Sequence, residues 1–138
     1  MEFFGHIIDG VEGASLDGAT MEDIDPYTRE AWATIACGGK ADADRAVAAA
    51  RKAFDEGPWP RMGRVERAAA IHRLADLMEE RADDLATMDA TNMGKPFLQA
   101  KHDVARSVWN FRFFADHQRD AVGEVYPMDS GHHTYSEF

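Results

Sequence analysis

Cys37, the single thiol in the chain, is the first residue to weigh as a nucleophile, because a thiolate is intrinsically reactive. Activation needs a neighbouring base or cation, or a helix N-terminus, to lower the thiol pKa. Cys37 sits between Ala36 and Gly38-Gly39, which suits a small residue closing a strand. A helix begins soon after it, so mild activation by the helix dipole stays open. Gly94-Lys95-Pro96 invites comparison with a phosphate loop and fails it. Pro96 stands where Ser or Thr is needed, Asp89 stands where the first glycine would be, and no apolar strand precedes it. A helix stop followed by a helix start accounts for it better, with Pro96 suited to a first turn. His132-His133 is a poor metal pair, because adjacent residues rarely turn both rings to one ion. His72, near Arg67 and Arg73, reads as helix surface.

The most informative pattern is His102, Arg106, Asn110, Phe113 and His117, spaced by four, four, three and four residues. At 3.6 residues per turn they share one helix face. Two readings stand: a solvated face with incidental His and Arg, which periodicity alone favours, or one wall of a polar ligand cavity.

The elements that would position these residues follow from pattern. His6-Ile7-Ile8 followed by Asp9-Gly10 predicts a hairpin with a two-residue turn. Met21–Asp25 and Ala31–Ala36 predict a second antiparallel pair, with Pro26 presetting the turn between them. Hairpins therefore occupy residues 5–36, and none of them shows the Gly-rich strand–turn–helix of a dinucleotide site. Helical periodicity then takes over in three long segments. The first, about 41–56, places Ala43, Val47, Ala50 and Phe54 on one face, with Asp42 and Asp44 where the helix dipole favours anions. The second, about 64–91, carries Ile71, Leu74, Met78, Leu85 and Met88, with a possible break at Arg81–Asp84. The third, about 97–122, carries Val104, Val108, Phe111, Ala115 and Val122 on an apolar stripe distinct from the polar one. Residues 125–138 read as extended and turn-rich, ending in a strand over Tyr135–Phe138.

With 138 residues, 45% hydrophobic and 29% charged, the composition is that of one globular domain, and no apolar run approaches the ~20 residues of a membrane span. Twenty-five acidic against fifteen basic residues give a net charge of -10, which repels polyphosphates and argues against nucleic acid as a partner. The first residues show neither a basic region nor an apolar core of a secretory signal, and one cysteine closes no internal disulfide, so a reducing, cytoplasmic setting is expected.

Several segments together resemble the start of an aldehyde dehydrogenase. They are Asp25-Pro26-Tyr27-Thr28, Arg64-Val65-Glu66-Arg67-Ala68, the run Leu74 to Arg81, Gly94-Lys95-Pro96, Phe113-Phe114-Ala115 and Gly123-Glu124, in the family's order and near its spacing. Asn110 to Ala115, preceded by Arg106, is most similar to the branch acting on 2-hydroxymuconic-type semialdehydes. The resemblance implies an α/β, Rossmann-type enzyme that oxidises an aldehyde or semialdehyde to a carboxylic acid with NAD or NADP. Residues 1–124 would open its coenzyme-binding domain, and residues 125–138 would start its oligomerisation arm. The catalytic domain, with the family's cysteine nucleophile, general-base Glu and oxyanion Asn, would lie beyond Phe138. Pro58-Trp59-Pro60 is not the family's Pro-Trp-Asn, since it lies in another region and lacks the Asn. The implied partners are the rest of the enzyme chain and further copies in a dimer or tetramer. His102, Arg106, Asn110 and Phe113 become candidates for the substrate tunnel. The alternative is a free-standing, non-catalytic module that assembles with aldehyde dehydrogenase subunits.

The 138-residue chain alone is expected neither to oxidise aldehydes nor to bind NAD, because it lacks both a nucleophile in an activating setting and a phosphate-cradling turn. Purified chain assayed with aldehyde and NAD should produce no NADH. Production that survives purification and vanishes on Cys37→Ser would make Cys37 a real nucleophile.

Overall fold

The computed structural model describes residues 1–120 and 122–136. The chain opens with five short strands: β1 (Glu2–Phe4), β2 (His6–Ile8), β3 (Val11–Gly13), β4 (Thr20–Ile24) and β5 (Ala31–Ala36). β2 and β3 form the expected hairpin, with Ile8 opposite Val11. Asp9 and Gly10 both take positive φ, 56° and 76°, the left-handed pair that matches a two-residue turn to the strand twist. β4 pairs antiparallel with β5, with a bulge at Asp23/Ile24. The Asp25 carboxylate accepts the Tyr27 N–H at 2.7 Å and so closes the Pro26 turn.

One strand departs from the antiparallel expectation. β1 pairs parallel to β5, Glu2 opposite Ala33 and Phe4 opposite Ile35, giving a mixed sheet of order β1-β5-β4. No turn links two parallel strands, so nothing local in Met1–Phe4 encodes this pairing. The Phe4 and Trp32 rings, 5.8 Å apart, pack where it forms.

α1 (Lys40–Glu56) starts at Gly39 and uses Asp42 as the reciprocal residue of its cap. The Asp42 carboxylate is only 5% exposed and accepts N–H groups from Gly39 at 3.1 Å and from Leu16 at 3.0 Å, tying the helix to the loop before β4. The apolar stripe of α1 finds little cover: Val47 is 68% exposed and Phe54 65%.

A short 3-10 turn at Trp59–Arg61 leads to α2 (Arg64–Glu80), followed by α3 (Ala82–Met93) and α4 (Phe97–Asp120). The helical segments number four rather than three, because Arg81 takes φ -111° and ψ 26° and divides the second one. Asp83 and Asp84 fall in the first turn of α3, where the new N-terminus attracts anions. Gly94 ends α3 at φ +68°, with Pro26 close beside it. The Pro96 carbonyl accepts the Ala100 N–H at 3.1 Å, so Pro96 stands just before α4 rather than inside its first turn. The expected helix reach to Val122 passes through Ala121, and the expected last strand runs to Phe138. Residue 121 and residues 137–138 lie outside the described set. β6 (Val125–Tyr126) and β7 (Thr134–Tyr135) close a small antiparallel pair.

The helical core differs from the expected stripes in one respect. Its buried positions are Ala68 and Ala75 on α2, Ala86 on α3, and Ala100, Val104, Val108 and Ala115 on α4, and no large side chain among the described residues is fully buried. Leu74 is 44% exposed and Met88 42%. Helices meeting over alanine approach closely, which pushes longer apolar side chains to the flanks of the contact. Those flanks also carry polar ties. Arg112 Nη2 of α4 reaches Asp76 Oδ1 at 2.9 Å and Glu79 Oε2 at 2.7 Å on α2. His72 Nε2 of α2 lies 2.9 Å from Asp116 Oδ1 of α4. No helix among the described residues is long and apolar enough to cross a membrane.

The turn between α3 and α4 is held by Lys95, whose Nζ donates to Asp89 at 2.7 Å and to Asp103 at 3.2 Å. The hydrogen bond to Asp89, then that to Asp103, holds the ammonium above its usual pKa. A raised folded-state pKa means the stabilisation is complete below the ordinary lysine value of about 10.4 and is lost as pH rises through the folded value. Lys95→Met is therefore expected to lower Tm at pH 8, with a deficit that shrinks once pH exceeds the folded-state pKa. Equal deficits under both conditions, in thermal melts across that range, would assign Lys95 a packing role instead.

Candidate functional site

The outer face of α4 is the best candidate site, and the packing just described sets which face that is. Ala100, Val104, Val108 and Ala115 are buried toward α2 and α3, while His102, Arg106, Asn110, Phe113 and His117 are all exposed. Arg112 keeps the helix from rolling, since both of its carboxylate partners lie on α2. Its guanidinium is held above the usual range by Glu79 first and Asp76 second, so it is a permanent cation in that joint.

Along the exposed face the side chains divide into two groups. Toward the C-terminal end, Trp109, Phe113 and His117 stack one turn apart. Trp109 and Phe113 centroids lie 5.4 Å apart with planes at 19°, and Phe113 and His117 lie 6.4 Å apart with planes at 2°. Phe114 meets Phe113 edge-on at 5.3 Å. Toward the N-terminal end stand His102, Arg106 and Asn110. Arg106 is 72% exposed, and its Nη2 donates to Asp103 Oδ1 at 2.7 Å, while Oδ2 of the same carboxylate faces Lys95. The face thus offers a cation, an amide and flat rings in sequence along about three turns.

The residues predicted from spacing are therefore together on one face, but the structure does not enclose them. A concavity of about 390 Å³ lies on the flank of α4, bordered by Glu79, Lys101, Trp109 and Arg112, and its lining includes none of His102, Arg106, Asn110 or Phe113. Several of the contacts that hold this face in place were not read from the sequence. The Asp103–Arg106 pair was readable from its i,i+3 spacing. Lys95, whose phosphate-loop comparison fails on sequence, serves as the shared partner of Asp89 and Asp103. His72 is more than helix surface, but its partner Asp116 and the partners of Arg112 lie far away in sequence, beyond any local signal.

Cys37 is exposed, just past β5, and its N–H donates to the Ala19 carbonyl at 2.9 Å. His132 and His133 are exposed in the turn between β6 and β7. No group of three or more potential metal ligands occurs among the described residues. The structure does contain a strand–Gly-Gly–helix connection, from β5 through Gly38-Gly39 into α1, the kind of turn that can cradle a dinucleotide. It does not fit one. The Asp42 carboxylate already accepts the Gly39 N–H at the α1 N-terminus, and the His6 ring stands against Gly38, where a side-chain carbon would sit 2.9 Å from Nε2, so a pyrophosphate would meet a negative charge there.

Comparison with known proteins gives this geometry its context. Residues 13–137 match the model of the aldehyde dehydrogenase family. Aldehyde dehydrogenase 1 of Tanacetum cinerariifolium is 40% identical over 139 residues, covering 99% of this chain and 28% of that protein. The 2-hydroxymuconic semialdehyde dehydrogenase of Pseudomonas sp. (strain CF600) is 36% identical over 129 residues, covering 93% and 26%. A structure of the NAD+ complex of aldehyde dehydrogenase from Bacillus cereus superposes with a TM-score of 0.88 at 35% identity, covering 97% of this chain and 28% of that one. Identity to the semialdehyde enzyme falls among that to other members, so it supports the family and not the branch. The chain spans about a quarter to 28% of the length of these relatives. It is an α/β segment that belongs to the aldehyde dehydrogenase family.

Proposed function

We propose that the complete protein oxidises a carboxylate-bearing semialdehyde to the corresponding acid with NAD or NADP, and that the outer face of α4 forms part of the path by which the aldehyde approaches. The observation that carries the reading is Arg106, a guanidinium 72% exposed on the face of α4 turned away from the helical core, in a chain that matches the family along residues 13–137. Guanidinium and carboxylate planes pair through two parallel charge-assisted hydrogen bonds, which fixes orientation as well as charge. Only Nη2 of Arg106 is engaged with Asp103, and the fork has five N–H donors in all. Asn110, one turn later, offers an amide to the same substrate end, His102 offers a ring nitrogen one turn earlier, and Phe113 offers an apolar surface for the carbon chain. The similarity to a 2-hydroxymuconic semialdehyde dehydrogenase supports this substrate class. In the same reading, the oxidation itself belongs to residues outside this segment. The enzyme works as a dimer or tetramer in the cytoplasm, and residues 125–138 begin its oligomerisation arm.

Removing a hydrogen bond to a charged group costs about 1.5–3 kcal/mol, so Arg106→Ala in the full-length enzyme is expected to lower kcat/KM for the acidic semialdehyde by roughly one to two orders of magnitude. An uncharged aldehyde of similar size should lose far less. Steady-state kinetics on both substrates decide it, and equal losses would return Arg106 to the role of a solvated helix residue.

A further inference from the structure

Resting on the reading of Arg106 above, we infer that Asp103 is a positioning residue for substrate selection: anchored by Lys95, it sets the guanidinium of Arg106 in the geometry that receives the substrate carboxylate. Arg106 by itself is a poor specificity element. Its side chain is long and rich in rotamers, and on an exposed helix face nothing but a partner can choose one rotamer. The partner is Asp103, 2.7 Å from Nη2 and one turn earlier on the same helix.

An ordinary exposed i,i+3 pair would not hold a long side chain firmly, because both ends would be mobile. Here one end is fixed. The Asp103 side chain is about one-third exposed, and its second oxygen faces Lys95 Nζ at 3.2 Å, a group only 20% exposed and also bound to Asp89 at 2.7 Å. The carboxylate is thus held from below by a half-buried cation that bridges the end of α3 to the start of α4. Each of its oxygens serves a different partner: Oδ2 takes the anchor and Oδ1 takes Arg106. This is the arrangement in which a supporting shell orients a binding group that contacts the ligand.

Two effects of Asp103 oppose one another. Its charge weakens the attraction of Arg106 for a substrate anion, whereas its hydrogen bond orders the fork. Orientation wins for a bidentate contact, because the Coulomb term at a largely exposed guanidinium is screened while the cost of ordering a free arginine recurs with every binding event.

The test is the ratio of kcat/KM for the acidic semialdehyde to kcat/KM for the uncharged aldehyde, measured in the full-length enzyme. Asp103→Ala is expected to lower this ratio roughly two- to tenfold, the range set by immobilising one rotamer-rich side chain, with the loss falling in KM rather than kcat. In an Arg106→Ala background the same change should lower the ratio no further. Asp89→Asn, which loosens the Lys95 anchor without touching Asp103, should lower the ratio by less than Asp103→Ala does, and not at all in an Arg106→Ala background. A ratio that rises in Asp103→Ala overturns the inference and makes Asp103 a competitor of the substrate. So does a ratio that is unchanged, or one that falls equally without Arg106. If Arg106→Ala itself leaves the ratio unaltered, the assignment of Arg106 has failed and this inference falls with it. If Arg106→Ala lowers the ratio and Asp103→Ala does not, only the role of Asp103 is lost.

Discussion

The close approach of α4 to α2 and α3 over small side chains is the constraint on which the other features of the helical half depend. Ala68, Ala75, Ala86, Ala100 and Ala115 leave little volume between the helices, and only Val104 and Val108 add branched bulk. Alanine contributes little buried apolar area per residue, so a contact of this kind gains its strength from proximity and from what borders it. The borders are polar. Arg112 bridges to Asp76 and Glu79, and His72 meets Asp116, so rotation of α4 about its axis would break charged contacts as well as dispersion. The face left outward is consequently a single, well-defined one.

The same economy leaves much apolar surface uncovered. Val47 and Phe54 on α1, Val65 and Leu74 on α2, and Trp109, Phe113 and Phe114 on α4 are large and exposed, a pattern that marks contact surfaces more often than solvent-facing ones. The relatives are three to four times as long as this chain, which agrees with a segment whose helices are built to be packed against on more than one side. The electrostatics point the same way. Asp42 is spent on capping α1, Lys95 on joining α3 to α4, and Arg112 on fixing α4, which leaves Arg106 as the largely exposed cation on the face where substrate contact is proposed.

Much of this was legible in the amino-acid order, and the reason is that the legible parts are local. The Asp9-Gly10 turn follows from the backbone freedom of those two residues. The Pro26 turn follows from a fixed φ and an Asp side chain that accepts a nearby N–H, and the helix stop at Gly94 from a left-handed residue. The sharing of one face by His102, Arg106, Asn110 and Phe113 follows from the helical repeat alone. The parallel partner of β1, the alanine core in place of the larger residues, the tie from His72 to Asp116 and the double grip of Lys95 were not legible. Each joins groups separated in sequence or depends on how closely two helices pack, which no single-helix pattern encodes. What the sequence by itself determined is therefore the local turns and most of the helices and hairpins, the family, and the two faces of α4, apolar and polar. What only the tertiary structure decided is which small residues form the helix contacts and which carboxylate holds which cation, because those depend on distances between segments that no local preference encodes.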